Sequence, residues 1–136
     1  LGNLVPLVLF GFVVERVTSR LRYHAFFVLT GAVAAVAEIT LGGLLALEFR
    51  GVLGASGAVF GLMGYAIAGN EIADWLSNTL RAVTDADWVG TAIVVAGAVV
   101  VAVALSGPGT ALVAHLVGLL IGLFAGRAKL LHVRRS

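Results

Sequence analysis

Four polar side chains in or beside the apolar stretches of this sequence stand out as candidates: Asn3, Glu38, Ser56 and His115. Such groups are costly in apolar surroundings and are functional candidates by default. Three of them make a set with a definite chemistry. A serine hydroxyl becomes a nucleophile when a neighbouring base takes its proton. A neutral imidazole does that work near pH 7. A carboxamide donates to the oxyanion that develops on an attacked carbonyl. Ser56, His115 and Asn3 together can carry acyl transfer. Ser56 also falls where an apolar run begins. The unpaired N–H groups and positive dipole end of a helix starting there would favour the same negative charge. Other chemistries lack their parts. The chain has no cysteine, which removes thiolate catalysis, disulfides and zinc–sulfur sites. His24, His115 and His132 are far apart, with no HExxH or EF-hand spacing, so neither a metal nor a cofactor is expected.

Each residue taken alone has a plainer role. Serine near a membrane helix start commonly bonds backbone or packs a small-residue interface. Asn3 could cap a helix, and His115 could be a structural hydrogen-bonder. Glu38 has three readings: lining a wet cavity, bonding a neighbouring helix, or reaching toward the membrane surface. No catalytic role is assigned to it. His24 and His132 sit among basic loop residues and are expected to be solvated.

The elements that must carry these groups follow from composition. Of 136 residues, 60% are apolar and 12% charged, with a mean hydropathy of +1.08. Soluble domains carry about 25% charged residues. The balance excludes an ordinary soluble domain, a disordered chain and a nucleic-acid binder, and it points to a multi-pass membrane protein. Apolar stretches cover residues 4–14, 25–47, 52–68, 88–105 and 111–125. Backbone in lipid must bond internally, so these are expected to be helices. The second, third and fourth reach the spanning minimum of about 17 residues, and the fifth does so with its flanks. The first does not, so its start is expected upstream of Leu1. Residues 70–87 and 106–110 read as loops, the latter as a Gly/Pro-rich flap.

Alternating the connections places eight of the nine Lys and Arg residues on one side, with Arg50 alone opposite. The positive-inside rule then puts the C-terminus in the cytoplasm. Depth follows at 1.5 Å per residue. Asn3 and His115 come out ~17 Å, and Ser56 ~20 Å, above the inner ends of their segments. The three groups share one layer, on helices that point the same way.

Those residues carry a resemblance. Gly54-Ala55-Ser56-Gly57, continued by Ala58 to Gly64, resembles the GxSG segment of the rhomboid intramembrane serine proteases. Ala114-His115-Leu116-Val117-Gly118, with Gly122, is similar to their AHxxGxxxG helix. Asn3, followed by Phe10-Gly11 and Val14-Glu15, looks like their second core helix. The resemblance implies an all-α integral-membrane bundle with a six-helix core. Five of its transmembrane helices are expected here, at about 1–15, 25–47, 54–69, 88–106 and 110–127 of a single domain over 1–136. The first core helix, and a histidine four residues before Asn3, are expected upstream.

The resemblance further implies a Ser–His dyad, with Ser56 as nucleophile and His115 as general base. Asn3 and the backbone at Ser56 would line the oxyanion hole. Phe60 takes the place from which an aromatic ring packs on the histidine. Gly54, Gly57, Gly118 and Gly122 support the dyad through close helix packing. The implied activity is serine endopeptidase cleavage of transmembrane protein substrates in the lipid bilayer of the cell membrane, at a site open to the outside. The competing reading is a proteolytically inactive rhomboid-like adaptor that binds transmembrane helices. The presence of both Ser56 and His115 weighs against it.

Overall fold

Segments this apolar satisfy their backbone by helix formation, and the computed structural model follows that rule. It describes residues 3–45, 55–83, 87–107 and 110–133. Regular structure among them is entirely helical. The elements are α1 (Leu4–Glu15), α2 (Arg20–Ala37) running on into a π-helical turn (Glu38–Gly42), α3 (Ala55–Ala68), α4 (Glu71–Val83), α5 (Asp87–Leu105) and α6 (Leu112–Arg127). The fold is an all-helical membrane bundle.

Arg20–Gly42 and Trp88–Leu105 are long and apolar enough to cross a membrane unaided. Leu4–Glu15, Ala55–Ala68 and Leu112–Arg127 are apolar but shorter. Residues 52–54 of the third expected segment lie outside the described residues. Within the described residues α3 has 14 residues, a rise of about 21 Å. α2 begins five residues before the apolar stretch because Ser19 caps it: the Ser19 hydroxyl accepts the Arg22 N–H at 3.3 Å. Hydropathy misses this basic first turn although its backbone is helical.

A correction concerns residues 70–87, read above as a loop. Most of that stretch is α4, an amphipathic helix with Ile72, Trp75, Leu76 and Leu80 spaced at helical period. Asn70 makes the corner. Its amide nitrogen donates to the Ala66 and Ile67 carbonyls, both at 2.9 Å, and finishes α3. Its side-chain oxygen accepts the Ala73 N–H at 2.9 Å and starts α4. Glu71 and Asp74 in the first turn and Arg81 in the last complement the helix dipole. Lys129, just past α6, pairs with Asp74 at 2.7 Å and ties α4 to the bundle.

The centre is α3. Every residue from Gly57 to Tyr65 is buried, as befits a helix enclosed on all sides. It packs against α1, α2 and, most extensively, α6, while α5 leans on α6 from outside. The outward faces are apolar: Val8 is 62%, Leu29 65% and Val100 66% exposed. An exterior like this suits lipid rather than water.

At the tail of α3, buried Tyr65 anchors the segment that follows α6. Its hydroxyl accepts the Leu131 N–H at 3.1 Å and meets His132 Nδ1 at 2.8 Å. The Val133 N–H donates to the Val17 carbonyl at 3.0 Å. His132 is thus half-buried and bonded, contrary to the expectation that it is solvated. His24 is exposed, with its ring 2.7 Å from the Arg20 carbonyl oxygen.

Candidate active site

Two rows of small residues bring α3 and α6 together. A β-carbon on Gly57 would stand 3.3 Å from the Ala114 carbonyl oxygen, and one on Gly61 3.4 Å from that of Gly118. From the other side, a β-carbon on Gly118 would collide with the Gly57 carbonyl, and one on Gly122 with that of Gly61. One on Gly126 would stand 2.6 Å from the Tyr65 carbonyl oxygen. Only glycine permits this approach, in which backbone touches backbone.

The same pairs fix direction and register. Numbers rise together along both helices, so α3 and α6 are parallel. Gly57 faces both Ala114 and Gly118, which places it level with the midpoint, residue 116. One step back along each helix, Ser56 stands level with His115. Ser56 is the second residue of α3, in its first turn. It is half-buried, and His115 is buried.

The His115 ring is held on a face and on an edge. Phe60 stacks on it with centroids 4.2 Å apart and planes within 8°. The Phe60 ring thereby occupies one turn below Ser56 on the side facing α6. The edge is held from α5: His115 Nδ1 lies 2.6 Å from Ser106 Oγ. Ser106 is thus a hydrogen-bond partner of the ring, and Nδ1 is the nitrogen engaged.

Comparison with known proteins identifies the family. The family model for the rhomboid domain matches residues 1–131, nearly the whole chain. The chain belongs to the rhomboid family. No curated protein and no solved structure gives a significant match.

In this rhomboid domain the remaining expected site residues fall as follows. Gly57, Gly118 and Gly122 form the α3–α6 seam. Gly54 lies outside the described residues. Asn3 is exposed at the head of α1, and its side chain makes no cap hydrogen bond. α1 packs on α3, with Gly11 beside Leu62. The structure does not bring Asn3 into contact with His115 among the described residues.

Sequence reasoning left two partners of the histidine helix unplaced. One is Ser106, which lay in the stretch read as a flap. Pro108 and Gly109 of that stretch lie outside the described residues. Its flanks are tied down, with Ser106 on His115 and the Thr110 hydroxyl donating to the Gly107 carbonyl at 2.7 Å. The other is Glu38, for which the structure selects the second of the three readings. Its carboxylate accepts the Ala114 N–H at 2.8 Å. Ala114 is the third residue of α6, so Glu38 satisfies one of the helix's four orphan donors from a different helix. The π turn and the missing side chain of Gly42, whose β-carbon would stand 3.0 Å from Glu38 Oε1, make room for the carboxylate. The only sequence signal for this contact was an acid within an apolar run.

Proposed function

We propose that this rhomboid-family chain is an intramembrane serine endopeptidase that hydrolyses peptide bonds in or near transmembrane segments of other proteins. Ser56 is the nucleophile and His115 the general base. The observation that carries the reading is the glycine seam, which sets Ser56 level with His115 while Phe60 fixes the plane of the imidazole.

The chemistry runs in two halves. The Ser56 oxygen attacks the scissile carbonyl carbon as His115 Nε2 takes the hydroxyl proton. Charge collects on the carbonyl oxygen, where the N–H groups at the start of α3 and the Asn3 carboxamide receive it. The C–N bond then breaks, and the proton on His115 passes to the leaving amine. Water attacks the acyl-enzyme, giving its proton to His115, and Ser56 is released with a carboxylate product. Substrate helices that unwind easily are preferred, because the scissile bond must leave its helical hydrogen bonds.

The site sits below the membrane surface and opens to the outside, with the C-terminus cytoplasmic. From Ala55 to Ala68 α3 rises about 21 Å, and α6 rises about 24 Å, against a ~30 Å hydrocarbon layer. With Asn70 and Arg127 at the inner interface, the heads of both helices lie within the bilayer.

The second reading is an inactive adaptor that binds transmembrane helices. One observation favours it: a hydrogen bond of His115 goes to Ser106. That bond uses Nδ1, however, and leaves Nε2 for Ser56. Cleavage of a reporter transmembrane peptide in liposomes tests the choice. Ser56-dependent cleavage supports the peptidase. No cleavage by the full-length protein, or cleavage that survives Ser56→Ala, rejects it.

A further inference from the structure

We propose that Ser106 is a positioning residue for the general base, fixing the tautomer of His115 as a carboxylate does in a catalytic triad. The inference rests on the Ser56–His115 dyad proposed above. Three observations carry it. The Ser106 oxygen is 2.6 Å from His115 Nδ1, a short hydrogen bond. Phe60 stacks within 8° of the ring plane, which leaves rotation within that plane for something else to stop. Ser106 is half-buried and follows directly on α5, where its N–H donates to the Val103 carbonyl at 3.2 Å. Its position is therefore set by a helix rather than by a free loop.

The direction of this one hydrogen bond decides whether the base can work. A neutral imidazole carries one N–H and one lone pair. When Nδ1–H donates to Ser106 Oγ, the lone pair is on Nε2 and can take the Ser56 proton. When the Ser106 hydroxyl donates to Nδ1 instead, Nε2 carries the hydrogen and the dyad is idle. Once His115 has accepted the proton, both nitrogens are donors. Only the first arrangement then keeps its bond to Ser106 without turning the hydroxyl. A serine oxygen serves either state of the ring and brings no charge into the membrane, where a buried carboxylate would be costly.

The test uses the full-length protein in liposomes with a reporter transmembrane peptide. Ser106→Ala is expected to lower kcat by about 10- to 100-fold, less than the roughly 10²–10⁴-fold that a general base itself contributes, with KM changed less than about twofold. Ser106→Thr keeps the oxygen and is expected to restore most of kcat, while the similarly shaped Ser106→Val does not. Nitrogen-15 NMR of histidine-labelled protein is expected to show hydrogen on Nδ1 of neutral His115, and a mixture of tautomers in Ser106→Ala. Unchanged kcat in Ser106→Ala, equal rates for the Thr and Val variants, or hydrogen on Nε2 in the parent overturns the role of Ser106 alone. Loss of cleavage in Ser106→Ala as complete as in Ser56→Ala, with a serine-directed probe bound at residue 106, would instead make Ser106 the nucleophile. Cleavage indifferent to Ser56→Ala overturns the dyad itself.

Discussion

Substitution of Gly118 by alanine strikes the contact on which the site depends. The added carbon would collide with the Gly57 carbonyl oxygen and stand 2.9 Å from that carbonyl's carbon and 3.2 Å from its Cα. All three are backbone atoms of a buried helix, so no side chain can swing aside. Carbon atoms rest at about 3.5–4.0 Å, so α3 and α6 must part by roughly 1 Å at this level. Overpacking of this kind costs about 1–3 kcal/mol. The gain in helix propensity from Gly to Ala, about 1 kcal/mol, offsets part of it. In lipid, packing itself holds helices together, so little else compensates. Gly97 on α5 is the internal control, because a β-carbon there meets nothing within 4 Å. Gly97→Ala is expected to be neutral or stabilising by up to about 1 kcal/mol. Thermal unfolding of both variants in one detergent, by far-UV circular dichroism, gives the comparison. Gly118→Ala should melt several degrees lower and lose peptidase activity, and Gly97→Ala should do neither. Equal melting of Gly118→Ala and the parent would refute the seam.

Glu38→Ala leaves the buried Ala114 N–H without its acceptor. It is expected to cost about 1.5–3 kcal/mol, as for hydrogen bonds to charged groups, while Glu38→Gln keeps an oxygen and should cost less in the same melt. Phe60→Leu removes the stack on His115 and should lower kcat more than KM, whereas Phe60→Tyr keeps a ring and should retain most of the rate in the reporter assay. The hydrogen bond from Lys129 beside it holds the Asp74 carboxyl below the usual aspartate range. Because the folded pKa lies below the unfolded one, the tether is fully present above the ordinary aspartate pKa and is lost as pH falls through the folded value. Amide protection in α4 should therefore drop on acidification below about pH 4 and with added salt, and Asp74→Asn should abolish that dependence.

Hydropathy was enough to find the apolar helices, since each of their residues contributes to the signal. The like direction of the Ser56 and His115 helices was also legible, and the glycine contacts show α3 and α6 running parallel. α4 was not legible, although Ile72, Trp75, Leu76 and Leu80 have helical spacing: a search for long apolar runs passes over a helix that is apolar on one face only. Glu38 stood out as an acid in an apolar run, but its partner is a backbone N–H 76 positions away, and no side-chain pattern marks a backbone donor. Ser106 hid for the opposite reason. It is only nine residues from His115, yet it sits in a Gly/Pro-rich stretch that reads as a loose connection. The half-buried state of His132 depends on Tyr65, 67 positions earlier, and its neighbours in sequence are basic and suggest solvent.

The central claim, that His115 activates Ser56, is tested most directly by a fluorophosphonate probe on the full-length protein in liposomes, followed by peptide mass mapping. The account predicts a single adduct on Ser56 that disappears in His115→Ala. An adduct on Ser106, or no adduct on a protein shown to be folded, would contradict it.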